Sequence, residues 1–193
     1  MPVRRARVRW PVIISVARDY ISVVRAFVKV TDACKKRVLQ PYSNAVRIFR
    51  RQSPHPISSC ETLLGLREFL PYFREQAMDV AIVDAVWNGV WQSMKIAAAA
   101  DAHEVNIAPH NFYGHLATMM NAHLAAATPN LRIMEVDIDR LPSDEELFTK
   151  APRFEQGQLI VPDEPGWGTE PNEEGIRAHE PRPGGGLLNY RQR

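Results

Sequence analysis

The chain has 193 residues, 45% of them hydrophobic and 24% charged, with a formal net charge of +2. That apolar content argues against a disordered chain, and the length suffices for one domain with a sizeable core. No apolar run approaches the roughly 20 residues of a membrane-spanning helix, so no membrane partner is expected.

The charge is unevenly spread. Residues 1–52 hold thirteen Lys and Arg against two Asp and Glu, whereas residues 53–193 hold eleven against twenty. A basic arm can serve nucleic acid or an anionic surface. Its arginine-rich start carries no interleaved aromatics beyond Trp10, so no specific nucleic-acid partner is expected. The start MPVRRARVRWPVIISVA loosely mimics a signal peptide, but Arg18 and Asp19 cut the apolar run short. Cys34 and Cys60 are far apart and form no CxxC pair, which suits neither a disulfide framework nor a zinc site. A cytoplasmic location is the simplest expectation.

In chain order, residues 1–42 form a basic segment with mixed helix and strand signals, including a candidate helix from Asp19 to Leu39. Ser43-Asn44 caps a helix continued by AVRIFRRQ, with Val46, Ile48 and Phe49 on the expected buried side. Ser53-Pro54-His55-Pro56 stops it. Ile57 to Cys60 reads as a short strand ending at Glu61. The helix LREFLPYFREQ is broken or restarted at Pro71. Met78 to Val86 is short, β-branched and nearly continuous, as a buried parallel strand should be.

Trp87-Asn88-Gly89 is a loop before the alanine-rich helix WQSMKIAAAADAH. Val105 to Ala108 is a strand ending at Pro109-His110, and HLATMMNAHLAAAT is a helix stopped by Pro129. Leu131 to Val136 is a strand ending at Glu135. Strands alternating with helices of ten or more residues predict βαβ units and a parallel sheet. Residues 43–140 are therefore one α/β unit. Residues 141–180 form a Pro- and Gly-rich segment with short strands around an EQGQ turn, and residues 181–193 a loose tail.

Four polar residues fall at the ends of four successive strands: Glu61, Asp84, His110 and Glu135. In a parallel α/β barrel the strand C-termini build the active site. Taken singly, each is more simply a loop-start hydrogen-bonding residue, but four in register point to a site. His110 is a candidate general base. Asp84 lies on the preceding strand, about 4.8 Å away, where it can hold the far imidazole nitrogen and support the protonated ring. A satisfied loop histidine is the plain alternative. His115 and His123 lie too far apart on one helix for joint chelation.

These segments resemble the mandelate racemase and muconate lactonizing enzyme family of the enolase superfamily. PISSCETLLGLREF resembles the fifth strand and loop of the family's (β/α)8 barrel, with Cys60 where a glycine is usual. DVAIVDAVWNGVWQSMKIAAAADAHEV resembles the sixth strand and helix, VNIAPHNFYGHLA the seventh strand and HLAAATPNLRIMEVD the eighth. FEQGQLIVPDEPGWGTEPNEE resembles the C-terminal segment that packs against the family's capping domain.

The resemblance implies that Glu61 is a magnesium ligand, Asp84 the partner of the base, His110 the catalytic base and Glu135 a substrate hydrogen-bond partner. It further implies magnesium-assisted removal of the proton α to a carboxylate. The expected substrate is a small-molecule sugar acid and the expected reaction dehydration, with racemization or epimerization as the alternative. Two different classes stay open beside the enzyme: a non-catalytic fragment and a basic binding module.

The resemblance covers roughly residues 43–180 and thus the last part of a barrel. A complete barrel typically needs about 250 residues. The family's further metal ligands, the base of its second strand and its capping domain find no counterpart. Residues 1–42 offer only Asp19 and Asp32, so a weak or incomplete magnesium site and a chain inactive by itself are expected. The composition of residues 1–41 fits a start foreign to the barrel better than an evolved basic module. The strands that should pair with the first barrel strand are missing, which leaves exposed edges. A homo-oligomer is compatible with this reading.

Overall fold

A computed structural model describes residues 9–15, 28–29, 43–137 and 144–179, the first two segments as backbone. The expected loose tail lies outside the described residues. Strands β1 (Arg9–Ser15) and β2 (Val28–Lys29) come from the basic segment. Val28–Lys29 being a strand interrupts the helix expected over Asp19 to Leu39, whose remainder lies outside the described residues.

From Ser43 onward the βα alternation holds. Helix α1 (Ser43–Gln52) precedes β3 (Ile57–Ser59), α2 (Gly65–Arg74), β4 (Val80–Asp84), the short α3 (Ala85–Asn88) and α4 (Val90–Asp101). Then follow β5 (Asn106–His110), α5 (His115–Ala126) and β6 (Met134–Asp137). Strands β2, β3, β4 and β5 are neighbours in that order, all parallel. A parallel bridge between Ile107 and Leu131 carries the order toward β6, and β1 pairs parallel with β6 on its far side. The edge expected to lie open beside β3 is therefore paired with β2 among the described residues.

All five residues of β4 are buried, because helices cover one face of this parallel sheet and side chains fill the opposite one. The main core gathers Ile57, Phe69, Phe73, Met78, Ile96 and Ile107. On α4 the alanines Ala97 and Ala100 are buried beside Ile96, and small side chains allow close approach to α2 and β5. Asn130 closes the far end of this layer, its Nδ2 donating to the carbonyls of Ala97 and Val105 at 3.1 and 2.9 Å.

Three local expectations fail for physical reasons. Helix α2 runs through Pro71 instead of breaking there. The lost Pro71 N–H bond is outweighed by Phe69 and Phe73, both fully buried on either side of it. The strand expected over Met78 to Val86 stops at Asp84, because that side chain caps α3. On α1 only Val46 of the three apolar positions is buried, while Ile48 and Phe49 are about half exposed (49% and 45%).

The C-terminal segment folds back onto β1. Strands β7 (Arg153–Glu155) and β8 (Gln158–Ile160) form a hairpin, and β8 pairs antiparallel with β1. Its turn residues Gln156 and Gly157 both have positive φ, 52° and 73°, which suits the right-handed twist of a two-residue hairpin. Leu159 of β8 is buried with Ala122, Ala125, Met134 and Val136 in a second core cluster. Helices α6 (Asp144–Leu147) and α7 (Glu173–Ala178) follow no signal read in the sequence. Among the described residues no helix is long and apolar enough to cross a membrane.

Truncating a fully buried ring leaves a cavity that a close-packed interior cannot refill. Phe73→Ala is expected to lower stability by about 3–5 kcal/mol. Urea unfolding monitored by circular dichroism measures this, and a loss below about 1 kcal/mol contradicts the packing described.

Candidate functional site

The site grows from the pairing of β4 and β5. Asp84 and His110 are direct partners in that parallel register, each the last residue of its strand. The Asp84 side chain is almost fully buried, so its charge needs partners. It has four. One oxygen, Oδ1, accepts the backbone N–H groups of Val86 and Trp87 at 2.8 and 2.9 Å and so caps α3. The second, Oδ2, accepts His110 Nδ1 at 2.8 Å and the Tyr113 hydroxyl at 2.5 Å.

An ionised carboxylate only accepts hydrogen bonds, so His110 carries a proton on Nδ1 and presents Nε2 outward. That nitrogen lies 3.7 Å from Glu135 Oε2. Glu135 is fixed from behind, because the same oxygen accepts the Asn111 N–H at 3.1 Å. It lies within β6, two residues before the end of the strand, and does not close it as expected. The His110 ring is also packed edge-on against Tyr113, with centroids 5.8 Å apart.

These contacts set the protonation states. Burial alone would raise the Asp84 pKa, but hydrogen bonds from His110, Tyr113 and the Trp87 N–H outweigh it and hold the carboxyl below the usual range. Burial alone would lower the His110 pKa. The hydrogen bond to Asp84 and the charges of Glu135, Asp84 and Glu61 outweigh that and raise it. Burial and the adjacent Asp84 carboxylate push the Tyr113 phenol up, so it stays a donor.

Glu61 follows β3 and lies near enough for its charge to act on His110. The residue before it, Cys60, has φ 89°, a backbone region that favours glycine. Holding a cysteine there costs on the order of 1–3 kcal/mol, offset in part by burial of its sulfur against Met78 Sδ at 3.3 Å. That burial pushes the thiol pKa up, so Cys60 is not a nucleophile. The loop that carries Glu61 is tied to α3 by Asn88, which donates to the Leu63 carbonyl and accepts from the Gly65 N–H.

Magnesium needs several oxygen ligands in near-octahedral order. Glu61 offers one carboxylate. Among the described residues no group of three or more His, Cys, Asp or Glu side chains lies close enough to hold a metal ion. The described residues therefore do not make a complete magnesium site.

Sequence reasoning missed a second tier of side chains. Tyr113 shares an oxygen of Asp84 with His110. Asn111, Thr118 and Asn121 are fully buried behind the site. Asn111 donates to Thr118 Oγ1, and Asn121 donates to the His110 carbonyl. The run His110-Asn111-Phe112-Tyr113 was a signal for these, since so many polar groups directly after a buried strand need partners. The remaining histidines lie elsewhere. His115 is buried against Phe148, and His123 packs against Trp167.

Residues 39–175 match the family described as enolase C-terminal domain-like. The D-gluconate dehydratase of Thermoproteus tenax is 33% identical over 71% of this chain and 28% of its own length. Muconate cycloisomerase 1-1 of Acinetobacter lwoffii is 32% identical over 76% of this chain and 40% of its own. A provisionally assigned L-alanine-DL-glutamate epimerase from Burkholderia xenovorans, solved with magnesium and fumarate bound, superposes with a TM-score of 0.77. It is 59% identical over 86% of this chain and 40% of its own. The chain thus spans well under half the length of these relatives.

The two pKa shifts make stability depend on pH in opposite senses. The lowered Asp84 pKa stabilises the fold above the ordinary carboxylate value of 3.8, and this is lost as pH falls through the lowered value. The raised His110 pKa stabilises below the ordinary value of 6.5 and is lost as pH rises through the raised value. The pair contributes most between them, near about pH 5. In denaturant titrations Asp84→Asn should cost most there and progressively less toward about pH 3 and about pH 9, by the same linkage. A cost independent of pH would mean that the pair is not ionised in the fold.

Proposed function

Because this chain belongs to the enolase C-terminal domain-like family, we propose that it carries the proton-handling half of a site that removes the proton α to a carboxylate. The substrate in this reading is a sugar acid, which loses water. One observation carries the proposal: the 2.8 Å hydrogen bond that orients His110 on the buried Asp84 carboxylate. A base needs a fixed direction and a partner for its charged form. His110 takes the α proton on Nε2, and Asp84 stabilises the resulting imidazolium. The electron pair left on the α carbon forms the double bond as the C–O bond to the β-hydroxyl breaks, and the departing oxygen takes the proton from His110 Nε2 and leaves as water, which restores the neutral imidazole. Glu135 accepts a hydrogen bond from a substrate hydroxyl beside Nε2.

The sugar-acid class rests on relatives that include D-gluconate, arabinonate and D-xylonate dehydratases. A second reading, epimerization, has its own support in the 59% identity to the Burkholderia xenovorans protein. Epimerization returns the proton from the opposite side and so calls for a second base facing His110. Among the described lysines, Lys95 lies over the Trp91 ring and Lys150 pairs with Glu164. Neither faces His110 as such a base, and dehydration is put first on the named dehydratases among the relatives.

Magnesium is typical of the enolase superfamily and is bound in that structural neighbour. The described donor set does not complete such a site, so no step is assigned to the metal here. The chain alone is accordingly proposed to be inactive.

Two measurements test this reading. Calorimetry of the 193-residue chain with magnesium should show no binding tighter than about 1 mM, since hard cations need several oxygen ligands. Tight one-to-one binding together with turnover would mean that further residues of the chain complete the site. Residues 43–179 should also be grafted into the corresponding place of the Burkholderia xenovorans protein and the chimera assayed on a panel of acid sugars. Dehydration that His110→Asn lowers roughly a thousandfold supports the proposal. Epimerization of an alanyl-glutamate dipeptide without dehydration supports the second reading, and activity indifferent to His110→Asn removes His110 from the mechanism.

A further inference from the structure

A concavity opens at the end of the strands opposite Asp84 and His110. It has a volume of about 410 Å³ and is lined by Arg47, Arg50 and Arg51 of α1, by His55, and by Glu75 and Asp79. His55 belongs to the turn just before β3, and Asp79 immediately precedes β4. The cleft therefore lies at the feet of these strands, about 17 Å from Asp84 at roughly 3.3 Å per strand residue. In parallel barrels that end serves stability rather than catalysis, so a cleft of small-molecule size there calls for an explanation.

Arg50 builds the wall. Its Nε and Nη2 both donate to Asp79 Oδ1, at 3.0 and 2.7 Å, and Nη1 donates to the Gln76 carbonyl at 2.7 Å. Asp79 Oδ2 in turn accepts the Ile57 N–H that starts β3. This pair is neutralised and tied to the sheet. The opposite wall is stiff as well, because Pro54 and Pro56 flank His55, and Ser53 Oγ bonds both the carbonyl and the N–H of His55.

Arg47 and Arg51 are left over. They stand one turn apart on α1 and so present two guanidinium groups to the same side. Arg47 Nη2 donates to Asn44, a neutral partner, while its Nε is buried without any acceptor. Arg51 has no acidic partner among the described residues. Three arginines face two carboxylates around the cleft, which leaves it positive. Cations in the last turn of α1 complement the helix dipole, and that accounts for the placing of Arg50 and Arg51. It does not account for Arg47, which lies before the last turn and has only the neutral Asn44 as a side-chain partner among the described residues.

We propose that this cleft binds a phosphate or sulfate monoester of a small polar molecule. Its oxyanion would bridge the guanidinium groups of Arg47 and Arg51, the two cleft arginines without an acidic partner among the described residues, as planar guanidinium groups do with tetrahedral oxyanions. The volume leaves room for the organic portion between the proline-braced turn and Asp79. The site is separate from the His110 mouth and independent of the reaction proposed there.

Titration of the full chain followed by amide NMR tests the assignment, with inorganic phosphate and glucose 6-phosphate as probes at ionic strength held constant with chloride. Saturable one-to-one shifts centred on residues 47–56 are expected. Affinity should fall about fivefold to tenfold in Arg51→Gln and in Arg47→Gln, as for loss of one charge-assisted contact, and stay unchanged in His110→Asn. Circular dichroism identifies any variant that has not folded; Arg51 is exposed, so Arg51→Gln decides the matter if Arg47→Gln fails. Equal shifts with chloride alone, affinity retained in both arginine variants, or association only with vesicles containing phosphatidic acid would each overturn the proposal.

Discussion

Asp84 ends β4 and starts α3, and its carboxylate accepts four hydrogen bonds in an almost fully buried position. A buried charge is tolerable only if it is satisfied on every side. Two of the bonds turn the chain from strand into helix, and two reach across to the end of β5 and the loop after it. The same atoms thus fix where the strand stops, how His110 points and how its protonated form is supported. Glu135 is held on the far side of the ring by the Asn111 N–H, so His110 lies between two carboxylates set on neighbouring strands.

Much of this was legible in the sequence because burial and charge leave strong traces. The βα alternation follows from short β-branched runs separated by longer helix-forming ones, among them the alanine-rich stretch of α4. Asp84 and His110 stood out as polar groups closing apolar strands, whereas the register that makes them direct partners comes from the fold, where both strands are five residues long. What escaped notice was set by tertiary context. Pro71 lies inside α2 because the rings of Phe69 and Phe73 bind that helix to the core more strongly than one lost hydrogen bond can disrupt. Ile48 and Phe49 follow helical periodicity yet are exposed, since α1 packs through Val46 alone among its apolar residues. Tyr113 had no periodic signal, and only the fold brings its hydroxyl to Asp84.

Chain coverage bounds the chemistry. The matched relatives are roughly two and a half to three and a half times longer than the part shared, at 28 to 40% of their length. The described residues hold a complete histidine–carboxylate arrangement but a single candidate metal ligand, Glu61. Its loop is held in place, with Asn88 fastening it to α3 and Cys60 at a φ that suits glycine. Four βα units thus suffice to set an oriented histidine between two carboxylates.

The central claim is that Asp84 and its neighbours make His110 a more basic, oriented imidazole. NMR titration of the His110 ring in the intact chain tests it most directly. The account predicts a midpoint above the ordinary histidine value of 6.5, moving down when Asp84 is replaced by Asn. A midpoint at or below 6.5, or one that Asp84→Asn leaves in place, would contradict it.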